Sequence, residues 1–423
     1  MEYIRLFIFN RKLLGFGIVL TFFSCFGKTF LISQYVPFIL REFHLSNTAF
    51  GTIYAIVTIM SGFFIIFLGR LLDRHELLKF SCYVTVGLML STFLLSISGN
   101  IIILGLALLG LRLSGQGLLN HTSQTAISRF FKRCRGKAIS LTAAGHSAGE
   151  ALLPVMIIFL ISFFGWRNSL LISGIFIGIT LLPLIYFSIK RIPKVKEKEI
   201  SPLHKKKIII REKWTLKKLL HDNQFYFLAP NVFILPFITT AILFYLMPLA
   251  KFNGWSSEWI SFCFIGFGLA NFSASFLAGF WIDRISAVKV LPFTYFPLII
   301  GLSCILIFEG AWTAPVFLIM TGATIGLNLT IEATVITEVF GVKNLATVKS
   351  VFSTLAIIAS ALGPLVVGLL LDHHFSFSVI LLILLILLSL LSIHTVAGHT
   401  SKHRSIRSIW NVPALILIRK NRF

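Results

Sequence analysis

Apolar residues follow one another along this chain in stretches of about 20 or more, far beyond the alternation of a half-buried strand or the one-sided stripe of a surface helix. Twelve such stretches run over residues 13–39, 49–69, 77–99, 101–127, 138–163, 166–188, 225–250, 257–281, 287–308, 312–337, 347–371 and 375–397. Each is long enough to cross a hydrocarbon layer of about 30 Å as a helix. The polar interruptions are short with one exception, "IKRIPKVKEKEISPLHKKKIIIREKWTLKKLLHD", which separates six stretches from six. The pattern therefore predicts an all-α polytopic membrane protein of two six-helix bundles. Its expected parts are an N-terminal bundle (1–188), a basic linker (189–224), a C-terminal bundle (225–397) and a basic tail (398–423). Within the linker, "WTLKKLL" reads either as a short interfacial amphipathic helix or as solvated chain.

Composition agrees: 57% of residues are hydrophobic and 13% charged, against about 25% charged in soluble domains. The first apolar stretch is too long for a signal peptide and lacks a small-residue cleavage pattern, so it is the first span. Five cysteines, isolated from one another, imply neither a disulfide framework nor a metal site. The formal net charge of +23 raises nucleic-acid binding as an alternative, and position argues against it. Of 38 Lys and Arg, 33 fall in the tails and alternate loops of one side, three (Arg41, Arg167, Lys251) on the other, and two (Lys28, Arg112) inside spans. This asymmetry predicts cytoplasmic termini and a cytoplasmic linker in a plasma or inner membrane, with contact to anionic lipid.

The phrase "GRLLDR" at 69–74 returns as "GFWIDR" at 279–284, with Asp73 and Asp283 separated by 210 positions. Each copy falls between the second and third spans of its half. With "LRLSGQG" at 111–117, "SRFFKRCRGKAIS" at 128–140, "FFGWRNS" before the sixth span and "GPLVVGLLLD" at 363–372, the chain resembles the major facilitator superfamily up to about residue 397. The resemblance implies two pseudo-symmetric bundles rocking about a central site. Two departures stand out: the first phrase continues "HELLK" in place of a glycine and two basic residues, and "AAGHSAGEALLP" lacks the fuller glycine pattern associated with antiporters.

A helix N-terminus carries partial positive charge, so Asp73 is expected to face the start of span 11 and Asp283 the start of span 5. Gly69 and Gly279 would allow close approach, and Arg74 and Arg284 would add a second charge. The competing reading is that these residues mark the membrane boundary.

Ionisable groups inside spans are functional candidates. Lys28 lies deep in the first, serving either a ligand or a structural pairing with an acid. Arg112, Gln116 and Asn120 follow at four-residue steps on one expected face of the fourth. The resemblance places spans 1, 4, 7 and 10 around the cavity, so Lys28 and Arg112 are expected on facing walls, suited to an anion. Alternatively Arg112 ties the N-terminal half together, with Glu150 as a permanent partner. His146 with Glu150, and Asn328 with Glu332, repeat the four-residue spacing and are candidate proton carriers. Asn231, Thr239, Thr240 and Tyr245 are candidates for the wall of span 7.

The expectation is a secondary transporter rather than an enzyme. No phosphate-binding loop, convergent nucleophile and base, or zinc-type spacing is present. Lys28 in the first span and "GWR" before the sixth resemble the monocarboxylate and organic-anion carriers of that superfamily, a resemblance that implies a small organic anion such as a monocarboxylate as substrate, with Lys28, Arg112, Gln116, Asn120 and Asn328 binding it. His146, Glu150 and Glu332 would couple a proton in symport. No cofactor, metal or nucleic acid is expected, and the chain is expected to act as a monomer in the bilayer. A sensor that keeps the fold without flux, and an exporter of amphipathic compounds, are the alternatives.

Overall fold

The computed structural model describes residues 10–131, 135–190, 219–341 and 345–398, and among them there is no β-strand. The side chains of Asp73, Arg74, Lys190, Asp283 and residues 135–137 and 345–347 lie outside the described set, as do residues 191–218, which hold most of "WTLKKLL".

Among the described residues ten helices are long and apolar enough to cross a membrane, and the pair Arg11–Gly27 and Thr29–Glu42, bent by 48°, makes an eleventh crossing. One of the ten, Arg135–Lys190, is interrupted at Gly165, whose φ of 77° is non-helical. Divided there, it supplies two spans, and the total is twelve. They are α1 (Arg11–Ser24 with its continuation to Glu42), α2 (Asn47–Leu68), α3 (Leu77–Ser96), α4 (101–130), α5 (135–164), α6 (166–190), α7 (Asn223–Phe244, continued by Leu246–Phe252), α8 (Ser257–Ile285), α9 (287–307), α10 (Thr313–Phe340), α11 (Leu345–Asp372) and α12 (Phe377–Ala397).

The bend of α1 organises the centre. Cys25–Gly27 tightens to a 3₁₀ turn and Lys28 is extended (φ −83°, ψ 152°). Beside the bend, α4 widens into a π-helix over Leu111–Leu119; such segments are frequent at functional sites. The two irregular stretches touch backbone to backbone. A Cβ on Gly27 would meet Gln116 N at 2.5 Å, and one on Gly115 would meet Gly27 N at 2.7 Å. A larger residue at either position would push α1 and α4 apart, separating the loci of Lys28 and Arg112.

Close approach also brings α5 and α8 to this point. A Cβ on Gly149 would meet Cys25 Sγ at 2.7 Å and Phe22 O at 3.0 Å, seating α5 on α1. One on Gly268 would meet Ser147 O at 2.5 Å, seating α8 on α5 across the two halves. Without a hydrophobic driving force between helices in lipid, such small-residue contacts carry much of the packing. The halves also meet along α2 and α11, where Gly51 backs onto Pro364 and Leu365.

Candidate functional site

Lys28 Nζ donates to Glu150 Oε1 at 2.7 Å, the ion pair found inside the spans among the described residues. Glu150 is 3% exposed, and its other oxygen, Oε2, accepts from Asn271 Nδ2 on α8 at 2.6 Å. One carboxylate thus joins α1 and α5 within the N-terminal half and α8 of the C-terminal half. Both of its oxygens are satisfied by charged or polar donors, as a buried carboxylate requires.

Arg112 has a different environment. It is 4% exposed, and Nη1 donates to Tyr54 Oη at 2.8 Å and Thr29 Oγ1 at 3.3 Å. The two hydroxyls are 2.7 Å apart. Because the tyrosine oxygen accepts from Arg112, its proton is free to go to Thr29. Arg112 Nε is buried without a partner. The pairing of Arg112 with Glu150 considered from sequence is therefore not formed: Glu150 goes to Lys28, and among the described residues no carboxylate contacts the guanidinium.

His146 Nε2 lies 3.2 Å from Asn120 Oδ1 and Nδ1 lies 3.3 Å from Ser24 Oγ. Asn120 Oδ1 also accepts from Gln124 Nε2 at 3.1 Å, so it acts as an acceptor and His146 Nε2 carries a proton. Ser24 Oγ donates to Thr21 O at 2.7 Å, and the same proton cannot serve Nδ1.

The four-residue spacing of Arg112, Gln116 and Asn120 does not give them one environment. Arg112 is buried, Gln116 exposed and Asn120 half-buried, because the π-helix has more residues per turn than the α-helix that spacing assumes. Asn328 Nδ2 donates to Glu332 Oε2 at 2.8 Å on α10, both half-buried. That pair is separate from the Lys28–Glu150–Asn271 cluster. On α7, Asn231 accepts from Tyr295 Oη at 2.5 Å and Thr239 bonds to its own helix at Leu235 O, so both are engaged in packing. Thr240 is half-buried.

The repeated phrase is asymmetric. A Cβ on Gly69 would meet Ile65 O at 2.7 Å and the His121 ring of α4 at 3.3 Å, whereas at Gly279 nothing lies within 4 Å. Close approach thus accounts for the first glycine and not the second. Arg284 lies over the Phe280 ring of its own helix, 4.0 Å from the centroid. The Asp73 and Asp283 carboxylates and Arg74 fall outside the described side chains.

A carboxylate cap does occur, at the opposite end of the bundle. Asp372, closing α11, accepts from Asn47 N at 3.1 Å, Asn47 Nδ2 at 3.0 Å and Thr48 N at 2.8 Å, at the start of α2. Tyr245 Oη of α7 donates to Asn47 O at 3.0 Å. Sequence reasoning missed this contact, although "GLLLD" at 368–372 has the same Gly-x-x-x-Asp spacing as the two quoted phrases. Tyr54 and Asn271 were missed as well; each is a polar residue within an apolar run.

"GWR" is structural. Trp166 Nε1 and Arg167 Nε donate to Glu42 Oε2 and Oε1 at 3.0 and 3.1 Å, and Arg167 also bonds Ser96 O and Ser98 O. The ends of α1 and α3 are thereby tied to the start of α6. Among the described residues no group of three His, Cys, Asp or Glu side chains is placed to hold a metal ion.

The family model described as "Major Facilitator Superfamily" matches residues 17–262 and 239–418. The chain belongs to the major facilitator superfamily. It is 26% identical over 314 residues to an uncharacterized MFS-type transporter, YcxA, of Bacillus subtilis (strain 168), covering 70% of this chain and 72% of that protein. Its fold is similar to a bacterial homologue of the human lysosomal transporter Spinster in an inward-facing and occupied conformation. There the TM-score is 0.64 and the identity 14%, with 95% of this chain and 97% of that one covered. The same homologue in an inward-facing and unoccupied conformation gives a TM-score of 0.63 at 15% identity, covering 95% of each chain. The protein is a multi-pass membrane transporter of this superfamily.

Proposed function

We propose that this transporter carries a small organic anion, a monocarboxylate in the simplest case, by alternating access with proton coupling. The carrying observation is Arg112: a buried guanidinium held, among the described residues, by neutral hydroxyls, with its Nε edge unpartnered. An uncompensated buried charge is costly, and the planar fork suits a carboxylate. Lys28 is already neutralised by Glu150, so this central group retains the single positive charge of Arg112 and matches a monoanion. A proton delivered to Glu150 weakens its hold on Lys28, which is then free to join Arg112 on the substrate. His146, which bonds Asn120 and lies 3.3 Å from Ser24 Oγ, is the ring nearest the pair that could relay that proton. Asn120 would act through His146. Gln116 and the Asn328–Glu332 pair are assigned secondary roles in binding and proton release. The 33-to-3 charge split supports cytoplasmic termini in a plasma or inner membrane, with the Asn47–Asp372 end outward; the working unit is one chain.

The test is a thermal-shift screen of purified protein with acetate, lactate, pyruvate and benzoate against glucose, glycerol and choline, followed by counterflow in liposomes. A ligand at 100 times its Kd stabilises by about 2.7 kcal/mol. At least one carboxylate is expected to stabilise the wild type and exchange, with both effects lost in Arg112→Lys. Stabilisation and flux confined to neutral or cationic compounds, or unchanged in Arg112→Lys, would overturn the proposal.

A further inference from the structure

Above Arg112, one face of α2 meets the other half of the protein at three successive levels. Tyr54, 0% exposed, lies with its ring centroid 4.5 Å from that of Phe244 on α7. Phe50, one turn away, lies 5.4 Å from the same ring. At the end of the helix, Asn47 is held by Tyr245 and Asp372. Residues 47, 50 and 54 share a helical face, and seven residues of helix span about 10 Å. The hydroxyl of Tyr54 points the other way in function, accepting from Arg112 and bonding Thr29. One side chain is therefore fixed at its tip by the site and along its ring by the opposing bundle.

We infer that Tyr54 is a positioning residue coupling the Arg112 site to closure of the Asn47–Asp372 end. Its phenol holds Nη1, which keeps the buried, unpartnered Nε edge of the guanidinium turned away from Tyr54. The ring stays in place while Phe244 packs against it, which requires α2 and α7 to be together. Separation of the halves at this end removes Phe244, frees the phenol and loosens the arginine. By linkage, whatever fixes Arg112 favours the closed end, and closure prepares Arg112. A ligand arriving from that end would thereby promote its own occlusion. What the device senses rests on the anion reading above; the coupling itself does not.

The coupling is measured without ligand. Spin labels at Arg41→Cys and Ser378→Cys, both exposed positions at this end, report the separation of the halves by pulsed electron resonance, with Cys82 and Cys134 replaced by Ser. Tyr54→Phe keeps the ring on Phe244 and removes the hydroxyl; it is expected to raise the open-to-closed ratio roughly tenfold. Arg112→Lys is expected to raise it by a similar factor in the parent and by less than twofold in the Tyr54→Phe background. Phe244→Leu, which touches neither hydroxyl, should open this end and make the ratio indifferent to Arg112→Lys. Thr29→Val tests the same hydroxyl pair should the arginine variant fail to fold, and its effect should also vanish with Tyr54→Phe. Factors that simply multiply, or an unchanged ratio in folded Tyr54→Phe, would overturn the coupling. A coupled gate in a protein that binds no carboxylate would instead sink the anion proposal and leave Tyr54 in its role.

Discussion

Lys28 Nζ and Glu150 Oε1, 122 positions apart in sequence, lie 2.7 Å apart where α1 bends. The extended backbone of Lys28 and the seating of Gly149 on Cys25 both serve this contact. A cation that sequence alone leaves open to a ligand is, in this state, occupied by an acid of its own half.

Removing one partner should therefore cost more than removing both. Breaking a buried pair costs about 3–5 kcal/mol, and the 23% exposure of the Lys28 side chain places Lys28→Gln and Glu150→Gln at or below the lower limit of that range. The double variant is expected to recover most of the lost thermal stability while remaining unable to accumulate substrate against a gradient. Equal losses that add in the double variant would show that the two groups act independently.

Asn271 is the donor through which Glu150 touches the C-terminal half. Asn271→Asp places a second carboxylate beside Oε2, where like charges at hydrogen-bond distance cannot both remain ionised. The variant is expected to lose transport and stability at neutral pH and to regain both as pH falls, when a shared proton restores one hydrogen bond. Asn271→Ala should show no comparable recovery. An acid-insensitive Asn271→Asp defect would place the two oxygens out of contact.

The Glu42–Arg167 tie predicts a loss of stability without a change in selectivity. Hydrogen bonds to charged groups contribute about 1.5–3 kcal/mol, and the half-exposed guanidinium lowers the figure toward about 1 kcal/mol. Arg167→Ala should melt earlier yet retain the ligand profile of the parent in the thermal-shift screen. A changed ligand preference would move "GWR" from scaffold to site.

The proposed orientation is checked by labelling. A cysteine at the exposed Lys251 position is expected to react with an impermeant maleimide in intact cells, and one at Ser201 only after lysis. The reverse pattern would exchange inside and outside and turn the Asn47–Asp372 end toward the cytoplasm.

Much of the architecture is legible in the sequence because lipid demands long apolar helices, and their limits follow from length alone. The 101–127 stretch, for instance, corresponds to a helix that reaches Phe130. Lys28, Arg112, His146 and Glu150 are likewise conspicuous as ionisable groups where none is cheap. Their partners are not legible. Four-residue spacing links His146 to Glu150, yet Glu150 bonds Lys28 and Asn271 while His146 bonds Asn120 and lies near Ser24. Those choices depend on where α1 bends and α4 widens, and backbone irregularity leaves little trace in composition. The superfamily resemblance directed attention to Asp73 and Asp283, whereas the described carboxylate cap between halves belongs to Asp372.

Asp372 offers the last test. Its carboxylate accepts from two backbone amides and one side-chain amide at the start of α2, combining hydrogen bonds with the helix-end charge. Asp372→Asn keeps the shape and removes the charge. A helix-terminus interaction contributes about 0.3–1 kcal/mol when exposed and up to about 2 kcal/mol when partly buried. The open-to-closed ratio at this end should thus rise between about twofold and thirtyfold, read from the Arg41–Ser378 label distance. Since Asp372 contacts neither Tyr54 nor Arg112, its effect should multiply with that of Tyr54→Phe, unlike the effect of Arg112→Lys. A distance distribution unchanged in folded Asp372→Asn would mean that the cap fixes the end of α2 without restraining the parting of the halves.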